Sequence, residues 1–331
     1  MNNFRIKFSI KAVAAAVPDN ICLNEDLNIF KEGEKRLSQK TLGIDSRYIE
    51  HKGRKASYFA LHSARKILKE TNVDVDEIRY LVYITQTPDF ITPATSIWIQ
   101  NELGLSKTCL CFDINLGCSG YVNGLFLAAT LLNQTGFGKA LVLTSDISSS
   151  LIQDGDTSTQ PIFSDGGSAT LIEYNAESPE AVCLFGNDGK GFKAIFKDHP
   201  IWGTKDYLKM EGLDILNFTL KVVTANIVDC IALSGLEKSE IDYYILHQAG
   251  HLINESIRRR LDIAPEKYLY SLKKYGNTSS SSIPITLLHN AEAFLNPLTQ
   301  TVLLSGFGVG LSWGSIITQI QNCQLLGIDK V

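Results

Sequence analysis

Three segments of this chain recur, in the same order, about half a chain length later. Glu77-Ile78-Arg79-Tyr80 runs into LVYI and Thr85-Gln86; Glu240-Ile241-Asp242-Tyr243 runs into YIL and His247-Gln248, 163 positions on. Gly117-Cys118-Ser119 opens the apolar stretch YVNGLFLAATLL, and Gly276-Asn277-Thr278 stands before IPITLLHNAEAFL at an offset of 159. ALVLTSD, with Thr144-Ser145, matches TVLLSGF, with Ser305-Gly306, at 161. Three ordered matches at nearly one spacing imply a duplicated unit. The expected organisation is two similar halves, 1–175 and 176–331, related by a pseudo-twofold and not by a linker.

Within each half, strand-like runs (LVYIT, CLCFDIN, ALVLTS; then YYILHQ, LYSLKK, TVLLSG) alternate with helix-length segments. That alternation predicts an α/β fold with helices on both faces of each sheet. The stretch from Cys118 to about Leu132 is apolar nearly all round, as a helix buried at the centre of a layered molecule would be. The start of the chain alternates Phe4, Ile6, Phe8, Ile10, which is a strand pattern, and its lysines Lys7 and Lys11 break any resemblance to a leader. No uninterrupted apolar run approaches the roughly 18 residues of a membrane span.

Charge and cysteine usage narrow the chemistry. A net charge of −4 with no long run of one sign leaves no whole-chain nucleic-acid footprint. Seven cysteines, an odd number without paired C-x-x-C spacing, point to a reducing compartment and to no zinc site. A cytoplasmic protein with no metal and no cofactor is expected. Six of the seven cysteines read as packing residues. Cys118 differs, because it follows a strand-like run and opens the buried helix. There the helix dipole and free backbone N–H groups would lower the thiol pKa, and the glycines on either side would let a carbonyl approach. His247 ends a strand opposite Thr85 of the other half. Asn277, by itself a turn residue, aligns with Cys118 through the repeat, so a pseudo-twofold would bring the two loops together.

The combination GCSG, HQAG and GNTSSSS, closed by GFGVGLSWGS at 306–315, closely resembles the β-ketoacyl-acyl carrier protein synthase III family of the thiolase superfamily. The resemblance extends from Leu42-Gly43-Ile44-Asp45-Ser46-Arg47 to the C-terminal strand and includes Phe163-Ser164-Asp165-Gly166-Gly167-Ser168-Ala169, similar to that family's DGA segment. It implies a layered αβαβα thiolase-like fold and a Cys118–His247–Asn277 site for decarboxylating condensation of an acyl thioester with a malonyl-carrier thioester. Backbone N–H groups of Cys118 and of Gly308, Val309 and Gly310 would form the oxyanion hole. A nucleotide-binding reading of that glycine run fits poorly, since the succeeding LSWGSIITQI is β-like and not a long helix.

The resemblance also implies an acyl carrier protein as partner and a homodimer in which Phe90 and Thr92 line the partner's acyl pocket; Phe307 is a further candidate acyl-pocket residue. It departs from the family at the coenzyme A clamp: the Trp and Arg positions hold Leu37, Thr41, Thr157 and Leu252. The acyl group is therefore expected on a carrier or a differently bound thioester. Arg258, Arg259 and Arg260, with Lys267, Lys273 and Lys274 nearby, form a candidate docking face for an acidic carrier; about 200° from inward-facing Ile257, Arg259 must point outward. The segment 185–212, with Phe192, Phe196, Trp202 and Tyr207 among glycines, is a candidate roof for the tunnel. Alternatives are an acyltransferase of the same fold acting on a hydroxyl or amine and a non-catalytic partner subunit. The 3-hydroxy-3-methylglutaryl-CoA synthase branch is disfavoured, because Thr85-Gln86-Thr87-Pro88-Asp89 lacks the general-acid Glu.

Overall fold

The computed structural model describes residues 3–31, 33–198, 206–295 and 299–331. Its strands are β1 (Asn3–Lys7), β2 (Ser9–Val17), β3 (Ile21–Leu23), β4 (Ser46–Tyr48), β5 (Ile78–Ile84), β6 (Leu110–Ile114), β7 (Gly138–Asp146) and β8 (Gly166–Tyr174), then β9 (Glu180–Asn187), β10 (Ile195–Phe196), β11 (Lys209–Met210), β12 (Tyr243–Leu246), β13 (Gln300–Gly308), β14 (Ser312–Ile320) and β15 (Gln324–Lys330). The helices are α1 (Glu34–Leu42), α2 (Ala56–Thr71), α3 (Thr95–Glu102), α4 (Gly120–Thr135), α5 (Gly212–Phe218), α6 (Thr224–Ser234), α7 (His251–Arg260), α8 (Leu272–Tyr275) and α9 (Ser282–His289).

The two large sheets have the orders β15-β2-β8-β7-β5-β6 and β1-β9-β14-β13-β12. The repeat mates occupy equivalent places: β5 corresponds to β12, β7 to β13, and each pair runs parallel. The expected halves 1–175 and 176–331 exchange their terminal strands. β1 pairs antiparallel with β9 of the second sheet, and β15 pairs parallel with β2 of the first. The run Leu269–Lys274, expected as a strand, is irregular and then helical. Only an isolated bridge, Tyr244 with Tyr268, remains of its pairing, because the backbone N–H groups of Ser271 and Leu272 are taken by the Gln248 side chain at 3.1 and 3.2 Å.

Helices α4 and α9 lie between the sheets, α2 covers β2, β7 and β8 from outside, and α6 covers β9 and β14. This is the αβαβα layering expected. Helix α2 buries Ala56, Phe59, Ala60, Ser63, Ala64 and Ile67, the spacing of one apolar face. Central α4 has no solvent face to reserve, which explains its apolar circumference. Any Cβ at Gly120 or Gly124 would collide with Ile84, so these two glycines let α4 press onto β5. Gly136, at φ 77°, ends α4 by returning its N–H to the Leu132 carbonyl. The helical stretch Gly212–Ser234 is long and apolar enough to cross a membrane by composition, and half of its most apolar window is packed inside the protein.

Candidate active site

The end of β12, the end of β13 and the loops before α4 and α9 meet around one cavity of about 630 Å³. Cys118, His247, Asn277, Phe307 and Gly308 all border it. The loop preceding Asn277 is pinned to the first half by paired backbone bonds, Asn277 N–H to the Ile162 carbonyl at 3.0 Å and Ser164 N–H to the Asn277 carbonyl at 2.9 Å. The FSDGGSA segment thus supports the Asn277 loop, while its Asp165 accepts from the backbone N–H groups of Glu50 and Ser149 at 2.8 Å each.

His247 is buried. Its Nδ1 lies 2.7 Å from the Ser282 hydroxyl and its Nε2 lies 3.4 Å from Asn277 Nδ2. The Phe307 ring meets the imidazole edge-on at 5.5 Å. Burial pulls the His247 pKa down to about 3, so the ring is neutral. Asn277 Oδ1 accepts the Ser279 N–H at 2.9 Å, which turns its Nδ2 toward the cavity. Two nitrogens 3.4 Å apart, one neutral imidazole and one amide, can both donate to a single oxygen placed between them.

Cys118 departs from expectation in one respect. Burial, with Asp146 second, pushes its thiol up to about 12, outweighing its own backbone N–H and the Ser279 hydroxyl, which lower it. Its flanking glycines serve packing and not substrate approach: a Cβ on Gly117 would collide with the Gln86 amide, and Gly120 abuts Ile84. Close approach to the sulfur belongs to Gly308, where a Cβ would stand 2.7 Å from Cys118 Cβ and 3.2 Å from Sγ. Of the three glycine-loop residues only Gly308 borders the cavity. Val309 is half-buried and Gly310 exposed, because the hairpin turns away from the site between β13 and β14.

The cavity mouth is formed by α1, α5 and α7. Leu37, Thr41, Thr157 and Leu252 all line it, with Phe30, Leu213 and Ile253. Leu37, Leu213 and Leu252 are 67%, 77% and 46% exposed. No lysine or arginine among the described residues lines the cavity, and its one charged side chain is Glu34. From the 185–212 segment, Ile195, Met210 and Gly212 border the cavity; Trp202 and Gly203 lie outside the described residues. Close contact of α1 with α7 is set by Gly43, at φ 66°, where a side chain would strike His251.

Residues 112–189 match the family of 3-oxoacyl-[acyl-carrier-protein (ACP)] synthase III, and residues 231–320 match its C-terminal part. The β-ketoacyl-[acyl-carrier-protein] synthase III of Streptococcus agalactiae is 33% identical over 322 residues, covering 94% of this chain and 98% of its own. The chain belongs to the β-ketoacyl-ACP synthase III family of the thiolase superfamily. A putative 3-oxoacyl-[acyl-carrier-protein] synthase 3 of Campylobacter jejuni is 32% identical over 340 residues, or 96% of this chain and 95% of that one. A 3-oxoacyl-(acyl-carrier protein) synthase structure from Burkholderia xenovorans superposes with a TM-score of 0.94 at 28% identity, covering 100% of this chain and 99% of that one. Synthases of this family are condensing enzymes and acyltransferases, and the fold described above is theirs.

The outlying candidates fare differently. In this β-ketoacyl-ACP synthase III family member, Arg259 is exposed and Arg260 with it, but Arg258 is not presented. Its guanidinium is tied to Glu255 at 2.6 and 2.9 Å and to the Ile263 carbonyl at 2.6 Å. Arg259 shares the same carboxylate at 2.7 Å. Lys267 is spent on the Ser239 and Ile241 carbonyls. Phe90 and Thr92 lie away from the chain's own cavity; Phe90 packs edge-on to Trp98 of α3 at 6.2 Å, and Thr92 is exposed. Sequence reasoning missed Asp146, Ser279 and Ser282. The run of four serines from 279 and the carboxylate closing a buried strand run were the available signals.

Proposed function

We propose that this chain catalyses decarboxylating condensation through an acyl-Cys118 intermediate. Attack of the Cys118 thiolate on the donor carbonyl expels the donor's thiolate and leaves the acyl group on sulfur. The malonyl-type extender then places its thioester oxygen between His247 Nε2 and Asn277 Nδ2. Ser282 donating to Nδ1 keeps the imidazole proton on Nε2, so both nitrogens donate to the enolate oxygen as carbon dioxide leaves. The resulting carbanion attacks the acyl carbon and releases the Cys118 thiolate. The 3.4 Å separation of the two donor nitrogens carries this reading.

The donor reading rests on the mouth. With leucines and threonines at the clamp positions, no lysine or arginine among the described lining residues is there to pair with a nucleotide's phosphates. The acyl group and the extender arrive on acyl carrier protein, whose acidic surface docks on Arg259 and Arg260. Among the described residues the edge strand β6 pairs only with β5 and exposes Leu110 and Phe112 beside Ile97 and Trp98. That apolar edge supports a homodimer in which Phe90 and Thr92 reach the partner's acyl pocket. The reading places the enzyme in the cytoplasm. Its test offers acyl-CoA and acyl-carrier donors in parallel and weighs Cys118 by mass spectrometry, with labelled malonyl-carrier added for carbon dioxide release. Acylation from the carrier, followed by coupled release, is expected. Efficient transfer from free acyl-CoA would overturn the donor assignment, and product formation by Cys118→Ala would overturn the intermediate.

A further inference from the structure

The condensation scheme leaves two buried hydroxyls beside the nucleophile unused. Ser119 follows Cys118 and precedes α4, and Ser312 opens β14 on the far side of the glycine hairpin. Both are buried. Their Oγ atoms lie 2.6 Å apart, and Ser312 Oγ donates to the Val309 carbonyl, also at 2.6 Å. A serine hydroxyl has one proton to give. That of Ser312 goes to Val309, so the bond between the two serines is donated by Ser119. Ser119 holds the N-cap position of α4, where a serine oxygen would ordinarily accept a first-turn N–H; here it is turned instead toward β14. The donors therefore run in one direction, from the residue after the nucleophile to the turn of the hairpin.

Backbone packing shows what this pair joins. A Cβ on Gly306 would stand 2.9 Å from the Cys118 carbonyl oxygen and 2.9 Å from Ser119 Cα, and one on Gly308 would stand 2.7 Å from Cys118 Cβ. Strand β13 thus lies with bare backbone against the nucleophile's turn. Gly308 is also the register partner of Ser312 across the hairpin. Gly310 makes room for that serine, since a Cβ there would stand 2.9 Å from Ser312 N and 3.2 Å from its Cβ. Glycines allow this close approach but bring no side chains to interlock. The two hydroxyls supply the missing link.

Attack of Cys118 Sγ on a thioester builds negative charge on the carbonyl oxygen, and the hairpin backbone that presses on the sulfur is that of Gly308. Donors to such a charge act best when fixed in advance, and a misplacement of about 1 Å can cost about 10²-fold in rate.

We propose that Ser119 and Ser312 are positioning residues for acylation of Cys118. Together they hold the Gly308–Val309 turn against the nucleophile's turn, so that backbone N–H groups of Cys118 and of the hairpin meet the oxyanion. Neither serine borders the cavity, so both act through the backbone they hold and not by touching substrate.

This rests on formation of acyl-Cys118, and the test compares two reactions of the same sulfur. In thioester acylation the sulfur bonds to the carbonyl carbon through an oxyanion, and the leaving thiolate departs. Alkylation by iodoacetamide displaces iodide from a tetrahedral carbon and builds no oxyanion. Short- and long-chain acyl-N-acetylcysteamine thioesters, which need no carrier docking, are offered to the wild type, Ser119→Ala, Ser312→Ala and the double variant, with adducts on Cys118 followed by mass spectrometry. In Ser312→Ala the maximal acylation rate should fall at least about tenfold, with the half-saturating donor concentration and the iodoacetamide rate unchanged. Ser119→Ala should lose less, since Ser312 still reaches Val309. The double variant should be no slower than Ser312→Ala, because Ser119 acts through Ser312. Unchanged acylation in Ser312→Ala, equal losses of acylation and alkylation, or additive losses in the double variant would each overturn the proposal. Thermal unfolding midpoints check that the variants are folded; if Ser312→Ala does not fold, Ser119→Ala decides by the same two rates. A wild type acylated by none of the thioesters would instead remove the acyl-Cys118 reading.

Discussion

At Cys118 a backbone N–H and a hydroxyl that favour the thiolate meet a dry, negatively charged surrounding that opposes it, and burial wins. His247 shows the same balance, held neutral where a protonated ring would otherwise form. The unfolded chain binds a proton at His247 below about 6.5 that the folded protein refuses until about 3. Stability contributed here is therefore complete above pH 6.5 and lost as pH falls toward 3. In His247→Gln the unfolding midpoint should gain on the wild type between about pH 7 and about pH 4, measured by scanning fluorimetry; a constant difference would contradict a neutral ring. His247→Ala and Asn277→Ala should each slow condensation by about 10²–10³ while leaving Cys118 acylation intact, since only the enolate loses a donor. Gly308→Ala places a methyl against Cys118 and should slow acylation itself, with about 1–3 kcal/mol of destabilisation seen in denaturant unfolding.

Among the elements, α7 divides its charges by face. Arg258 is half-buried against Glu255 and a backbone carbonyl, whereas the side chain of Arg259 is 74% exposed. Glu255, held at about 2 chiefly by Arg258, keeps its charge and offsets part of the basic face. Arg258→Ala should therefore cost stability, about 1–3 kcal/mol, with little change in carrier KM. The double change Arg259→Glu and Arg260→Glu should raise KM for the acyl carrier and leave the unfolding midpoint and Cys118 alkylation unchanged. Equal losses in all three would point to disrupted packing. The three arginines look alike in sequence. Their separation depends on the direction each side chain takes from the helix and on the Ile263 carbonyl beneath Arg258, and periodicity identifies only the first of these.

For the whole molecule, two sheets and the two central helices α4 and α9 are layered around the site, and the proposed homodimer would join at the edge strand β6. If the proposed homodimer forms through this edge, the wild type should be a dimer in light scattering and Leu110→Lys a monomer with reduced activity; a monomeric wild type or an unchanged dimer would contradict that interface. Much of this architecture was legible in the chain. The strand and helix alternation marked the α/β class, the apolar circumference of α4 marked the centre, and GCSG, HQAG and GNTSSSS marked the family, because each depends on local spacing or on residue types few other arrangements need. The exchange of β1 and β15, the loss of strand pairing at Leu269–Lys274, the packing role of Gly117 and the burial of Asp146 beside Cys118 were not legible. Each of these depends on what lies opposite a residue across the fold, and long-range contacts leave no local pattern. The α/β plan and the family motifs that carry Cys118, His247 and Asn277 are written in the order of the amino acids alone. Their protonation is not, since pKa is set by burial and neighbours, and burial exists only once the two halves have closed on each other.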